Sequence, residues 1–203
     1  MAHPEQREFF TSLRALHPEY FTGRKVLEVG SLNINGSVRD FFTSCEFTGV
    51  DVAAGRDVDV VAQGENLTYP DGAFDVCVSA ECFEHNPAWH ATFVNMARMS
   101  SGMVVFTCAT TGRAEHGTTR SSPGSSPLTL GWDYYQNLTA EDFTFSIDMN
   151  SLFDTFTFTN LMHQCKAAAA LRPQTLKVTF WFLNQLNMWQ AWSPVSVKKT
   201  QFA

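Results

Sequence analysis

Three short stretches hold the side chains that could do chemistry. The apolar run Lys25-Val-Leu-Glu-Val ends at Gly30, and a second glycine, Gly36, follows after a short loop. A glycine closing such a run lets the backbone approach a bound molecule, because no Cβ intervenes. Asp51 closes the next apolar run, about 20 residues further on, where a carboxylate can accept both hydroxyls of a ribose. The third stretch runs from Ser79 through Ala80, Glu81, Cys82, Phe83 and Glu84 to His85, gathering carboxylates, a thiol and an imidazole. In this order and spacing the three suit a nucleoside-binding α/β domain.

The loop after Gly30 narrows the choice of nucleoside. A pyrophosphate cradle has the form G-x-G-x-x-G, which aims a helix N-terminus at the phosphates. Here Ser31, Leu32, Asn33, Ile34 and Asn35 follow Gly30, and Leu32 stands where the second glycine is needed. The dinucleotide reading fails at its most demanding position. S-adenosylmethionine carries no phosphate, only an adenosine and an amino-acid tail joined through a sulfonium, and a looser loop suffices for it.

These residues need strand ends to hold them, and the hydrophobic pattern supplies the strands. Apolar runs at 25–30, 47–52, 58–61, 74–79 and 103–108 read as five strands, several nearly continuous, as expected where both sheet faces are covered. Helical spacing appears at 4–20, through Phe9, Phe10, Leu13 and Leu16, and at 87–99, around Trp89, Phe93, Met96 and Ala97. A short helix is expected over 35–42 with Asn35 as N-cap, and another from Thr139 to about residue 152. Residues 156–160 and 176–183 read as closing strands, while the run Ala167 to Ala170 fits a helical turn or a loop. Strands alternating with helices predict a Rossmann-like, doubly wound α/β fold: a mostly parallel sheet of about seven strands with helices on both faces.

The chain divides accordingly. Residues 1–22 form a helical lead, 24–110 a cofactor-binding half, 111–137 a Gly/Ser/Thr/Pro-rich loop or lid, and 138–203 a substrate-side half, all in one domain. A length of 203 residues suits a single full-sized core. The five cysteines form no CxxC pair and read as free thiols of a reducing compartment. No signal pattern opens the sequence and no apolar run could span a bilayer, so the expectation is a cytoplasmic protein without membrane insertion. A net charge of −6 disfavours nucleic acid as a partner.

Together, Val26-Leu-Glu-Val-Gly30, Gly49-Val-Asp51 and Phe74 through His85 resemble class I S-adenosylmethionine-dependent methyltransferases, in particular the small-molecule type with Glu-His after the fourth strand. The resemblance covers about residues 24 to 110. It implies that Gly30, Ser31, Asn33 and Gly36 line the methionine moiety. Asp51 would bind the ribose, with Val52 against the adenine. The Gln63-Gly64-Glu65 segment would lie beside the adenine amino group, where the family often has an acid and this chain has Gln63. Ala80 and Glu81 would flank the cofactor. Glu28 would either touch it or bond loop amides near its amino-acid tail.

Methyl transfer from a sulfonium is an in-line displacement that chiefly requires alignment, with a base where the acceptor is a hydroxyl or amine. His85 is the first candidate for that base, followed by His116 and Tyr134 in the long loop. No metal is expected, since Cys82 and His85 have no third ligand at suitable spacing. The predicted activity is methylation of a small-molecule acceptor, releasing S-adenosylhomocysteine. Competing readings are a protein or nucleic-acid methyltransferase and a non-catalytic cofactor-binding domain of the same fold. Trp181, Trp189 and Trp192 offer a face for a homodimer, a substrate wall or plain core packing.

Overall fold

A computed structural model describes residues 4–161 and 164–170. The chain opens with α1 (Pro4–Leu16), whose first position is a proline, where its missing N–H costs nothing. This helix buries Gln6, Phe10 and Leu13, while Leu16 at its end is exposed. Strand β1 (Lys25–Val29) follows, then β2 (Glu46–Asp51), the two-residue β3 (Val60–Val61) and β4 (Phe74–Ala80). Helix α2 (Trp89–Met99) leads directly into β5 (Ser100–Ala109). Two short helices, α3 (Ala140–Ser146) and α4 (Met149–Leu152), precede the hairpin of β6 (Thr155–Leu161) and β7 (Gln164–Ala170).

The seven strands form one sheet in the order β3-β2-β1-β4-β5-β7-β6. The first five are parallel, and β7 runs antiparallel to both β5 and β6. Strand order therefore reverses between β1 and β4. In open sheets of this kind ligands bind outside the carboxyl ends of the strands at that reversal.

The apolar runs of the strands divide between two cores by simple alternation. On one face, Val26, Val76, Val78, Met103 and Val105 meet Phe10 and Leu13 of α1, with Phe21, Val38 and Phe41. On the other, Leu27, Val29, Cys77, Val104 and Phe106 meet Phe93, Met96 and Met99 of α2, with Phe83 and Phe143. Each fully buried side chain of this size contributes about 1.5–3 kcal/mol, so both layers are substantial. The Gln6 amide donates to the Thr107 hydroxyl at 2.7 Å, a buried bond that pins α1 over β5.

Several elements differ from expectation. The helix predicted over 35–42 is a single 3-10 turn, Val38–Phe41, capped by Ser37 rather than Asn35. The Ser37 hydroxyl accepts from the Arg39 amide, and the preceding residues are held in a loop by the Asn33 side-chain oxygen Oδ1, which accepts from the Gly36 amide. The helix predicted from Thr139 to 152 is broken at Ile147. Thr139 and Asp142 form a reciprocal capping box for α3, and Asp148 caps α4 separately. The alanine run 167–170, read as helical turn or loop, belongs to β7 and pairs on both sides, as in Val104↔Ala169 and Phe156↔Ala169. Alanine has little strand preference of its own, so the two-sided ladder decides its conformation. The closing strand expected at 176–183 and Trp181, Trp189 and Trp192 lie outside the described residues. Cys45, Cys77, Cys82 and Cys108 are free thiols.

Candidate functional site

The carboxyl ends of β1 to β4 surround a small, partly open cleft. Its lining combines Val29, Gly30, Asp51, Val52, Ala62, Gly64 and Glu65 with Cys82 and Asn86 after β4, and with Thr129 and Trp132 from the long loop. This mixture of apolar wall and a few polar groups, at the strand-order reversal, is the usual makeup of a small-molecule site.

Asp51 is the best-defined polar group in it. One carboxylate oxygen accepts from the Leu32 amide at 2.9 Å and the other from the Val52 amide at 2.8 Å. The turn after β1 is thus tied to the end of β2 through this side chain. A carboxylate offers about four acceptor positions, so each oxygen keeps a lone pair for a ligand hydroxyl. Burial raises the Asp51 pKa, against the two amides that lower it.

Gly30 has φ +81, and a Cβ there would meet the Cys82 Cβ at 2.5 Å. The glycine is needed both for its backbone angle and for the close packing of the two strand ends. Of the other residues expected around the methionine moiety, Ser31, Asn33 and Gly36 do not line the cleft. Ser31 is buried, and its hydroxyl oxygen would lie 2.8 Å from a Cβ at Gly49. The Asn33 amide donates to Asp57 at 2.6 Å and thereby closes the loop.

Glu28 shares a sheet face with Val26, on the side covered by α1, whereas Val29 faces the cleft. Its carboxyl is 3% exposed and Oε2 has no hydrogen-bond partner. Burial pushes its pKa up to about 8, against the pull of the nearby Arg39 guanidinium. Arg39 itself is engaged with Asp59 at 2.5 Å and the Asp57 carbonyl at 2.7 Å.

The segment expected beside the adenine is rearranged. Gln63 is exposed and its side-chain oxygen accepts from Asn66, while Gly64 and Glu65 border the cleft. Glu65 accepts from the Thr92 hydroxyl at 3.0 Å, so an acid does stand at this wall, two residues beyond the position read from sequence. Ala80 and Glu81 do not line the cleft; Cys82 and Asn86 do, two positions that sequence reasoning missed. Cleft-lining Thr129 and Trp132 were also missed, for nothing in a Gly/Ser/Pro-rich loop signals which side chain turns inward.

Comparison with known proteins agrees with this geometry. Residues 28–106 match the family model described as "Methyltransferase domain". Among solved structures, phosphoethanolamine N-methyltransferase 2 of Haemonchus contortus superposes with a TM-score of 0.58 at 16% identity, covering 83% of this chain and 53% of the other. The 1,6-didemethyltoxoflavin-N1-methyltransferase of Burkholderia thailandensis gives 0.53 at 14% identity, covering 83% of each chain. The CurJ carbon methyltransferase gives 0.54 at 15%, covering 75% of this chain and 50% of the other. At these identities the likeness is one of fold.

The chain thus holds a stretch similar to a methyltransferase domain, on a sheet with the fold of these neighbours.

It spans about half the length of the first solved structures it matches. No curated protein matches the sequence.

Beside the cleft lies a second group of side chains. The 3-10 turn Phe83–His85 runs between cleft-lining Cys82 and Asn86, and buries both Glu84 and His85. The long loop brings His116 and Tyr135 against His85, with ring centroids 5.0 and 5.6 Å away. It is fastened there by the Gln136 amide donating to the Glu84 carbonyl and the Leu138 amide to the Ala109 carbonyl, each at 2.9 Å. His85 and His116, singled out from sequence, are thus neighbours. Tyr134 turns its hydroxyl to Gln136, and its neighbour Tyr135 completes the ring cluster. Burial, with His116 beside it, lowers the His85 pKa to about 4, and burial also lowers that of His116. Both imidazoles are neutral at neutral pH and present lone pairs.

Proposed function

We propose that this chain binds S-adenosylmethionine in the cleft between β1 and β4 and transfers its methyl group to a small-molecule acceptor. The observation that carries the reading is Asp51, with one amide on each carboxylate oxygen and a lone pair left on both, at the edge of the cleft. Two vicinal ribose hydroxyls suit that pair of acceptors. The rest of the lining fits the same ligand. Val52 and Ala62 offer apolar contact for an adenine, and Glu65 Oε1 can accept from its amino group. Gly30 keeps the wall at the end of β1 free of a side chain.

When bound, this cofactor supplies a methyl group already activated on a sulfonium, so the protein's part is alignment and exclusion of water. Asp51 and Glu65 fix the nucleoside end, and Thr129 and Trp132 cover the cleft from the loop side. His85, His116 and Tyr135 make up the corner from which we infer that the acceptor approaches, with Tyr134 next to it in the loop. The acceptor class is supported by the neighbours of the same fold. The Haemonchus enzyme was solved with phosphomonomethylethanolamine and S-adenosylhomocysteine, and the Burkholderia enzyme with 1,6-didemethyltoxoflavin and S-adenosylhomocysteine.

Calorimetry with S-adenosylmethionine and S-adenosylhomocysteine, followed by a labelled-methyl screen over metabolite pools, tests the reading. Both cofactor forms should bind at one site per chain, and Asp51→Ala should weaken that binding at least tenfold, roughly the loss of one charge-assisted bond. Absence of binding to either form would end the proposal. Unchanged affinity in the variant would remove the ribose assignment alone.

A further inference from the structure

Glu84, His85 and His116 each offer one ligand-type atom, and these three atoms lie within 4.8 Å of one another. Glu84 is 0% exposed; the backbone amides of Glu84 and Ala109 pull on its carboxylate, yet neither oxygen has a hydrogen bond of full geometry, and Nδ1 of the buried His85 has no partner. A buried polar atom left unpaired costs about 1–3 kcal/mol, and such atoms are rare in native folds. Three of them on two adjacent residues point to a missing partner. A carboxyl group and two imidazoles gathered at this distance suit a partner that accepts lone pairs.

The third member is set up in the same sense. His116 Nδ1 lies 3.0 Å from the Ala114 carbonyl oxygen, which only accepts, so the proton sits on Nδ1 and Nε2 keeps a free lone pair. Metal-binding histidines are oriented in this way, by a carbonyl on the ring nitrogen away from the ion. Gly117 lets the loop come this close: a Cβ there would meet His85 Cε1 at 2.6 Å. Glu81 adds negative charge beside Glu84, and Arg113 is the opposing cation within reach.

We propose that Glu84, His85 and His116 form a mononuclear site for a divalent transition-metal ion of the zinc type. Two imidazoles and one carboxylate suit such ions rather than magnesium or calcium, which prefer oxygen ligands. With ligand distances of about 2.0–2.1 Å, tetrahedral donors stand roughly 3.3 Å apart, so the cluster contracts by about 1.5 Å at most when it is filled. Three protein ligands leave a position open. If the chain transfers methyl groups as inferred above, that position can take an acceptor oxygen, whose proton passes to solvent as the oxygen becomes a better nucleophile.

The spacing of ligands along the sequence hid this site, because His116 comes from the long loop and Glu84 from the strand-four motif. Cys82, the thiol that sequence suggested beside His85, is packed against Gly30 instead.

The test uses the full chain stripped with chelator and titrated with Co²⁺, read by visible absorption. One Co²⁺ per chain should bind with the intense bands of a four- or five-coordinate ion, and Zn²⁺ should displace it. His116→Ala, in a half-buried loop position, and Glu84→Gln should each weaken binding at least about tenfold, as expected for loss of one ligand. His90→Ala, a histidine outside the cluster, should leave it unchanged. Thermal melts identify any variant that fails to fold, and His116→Ala alone then decides. Absence of saturable binding by the unaltered chain, or equal affinity in His116→Ala, overturns the proposal. The readout is metal binding, so it stands or fails apart from methyl transfer.

Discussion

Glu28 is a carboxyl group that folding keeps protonated around neutral pH. Unfolded, it titrates near the ordinary 4.5, and folded near about 8, chiefly because burial penalises its charged form. The folded chain therefore holds a proton that the unfolded chain releases between those values. Its contribution to stability is fully present below the unfolded pKa, declines as pH rises through the window, and levels off above about 8. Denaturant titrations at about pH 5 and about pH 8.5 should reveal a loss on the order of a few kcal/mol in the unaltered chain. Glu28→Gln should lose markedly less. Parallel pH profiles for the two proteins would show that Glu28 is not the group responsible. The same residue illustrates what a motif leaves open: its position beside Gly30 suggested the ligand, and strand alternation turns it to the other face.

At the scale of elements, the cleft depends on how closely β3, β1 and α2 meet. Gly64 lies at their junction, where a Cβ would come within 2.6 Å of Thr92 Cγ2 and 2.8 Å of Val29 Cγ1. Both neighbours are β-branched and held in the core, so neither can swing aside cheaply. Gly64→Ala should destabilise the fold by about 1–3 kcal/mol, the typical cost of overpacking, read from the denaturant midpoint at unchanged slope. It should also weaken cofactor binding by moving Glu65. A variant as stable as the parent would mean that α2 gives way more easily than its packing implies. The strands were legible because parallel strands buried on both faces are continuous apolar runs. The short helices were less so, since Ile147 and the Asn33–Gly36 loop interrupt patterns that look helical in one dimension.

For the molecule as a whole, the long loop is the part that joins the cleft to the histidine cluster. It contributes Thr129 and Trp132 to the one and His116 and Tyr135 to the other. An internal network holds it, with Arg120 paired to Glu115 and Asp133, and Asp133 accepting from Thr119. None of the described helices is long and apolar enough to cross a membrane. Because a ligand stabilises the state it binds, S-adenosylhomocysteine at about 100-fold excess over its Kd should add about 2.7 kcal/mol, seen as a rise in Tm. Trp132→Ala should leave the Tm of the free protein nearly unchanged and shrink the rise produced by the same concentration of ligand. An equal rise would separate Trp132 from the cofactor.

The sequence by itself determined the parallel strands, the glycine that ends β1 and the carboxylate that ends β2, because each is a local signal: burial pattern, backbone angle and spacing along one βαβ path. Tertiary structure alone decided the alanine strand, the turning of Gln63 away from the cleft, and the meeting of Glu84, His85 and His116. Those features depend on contacts between segments far apart in the chain. Residue types carry no record of such contacts until the sheet and loop bring them together.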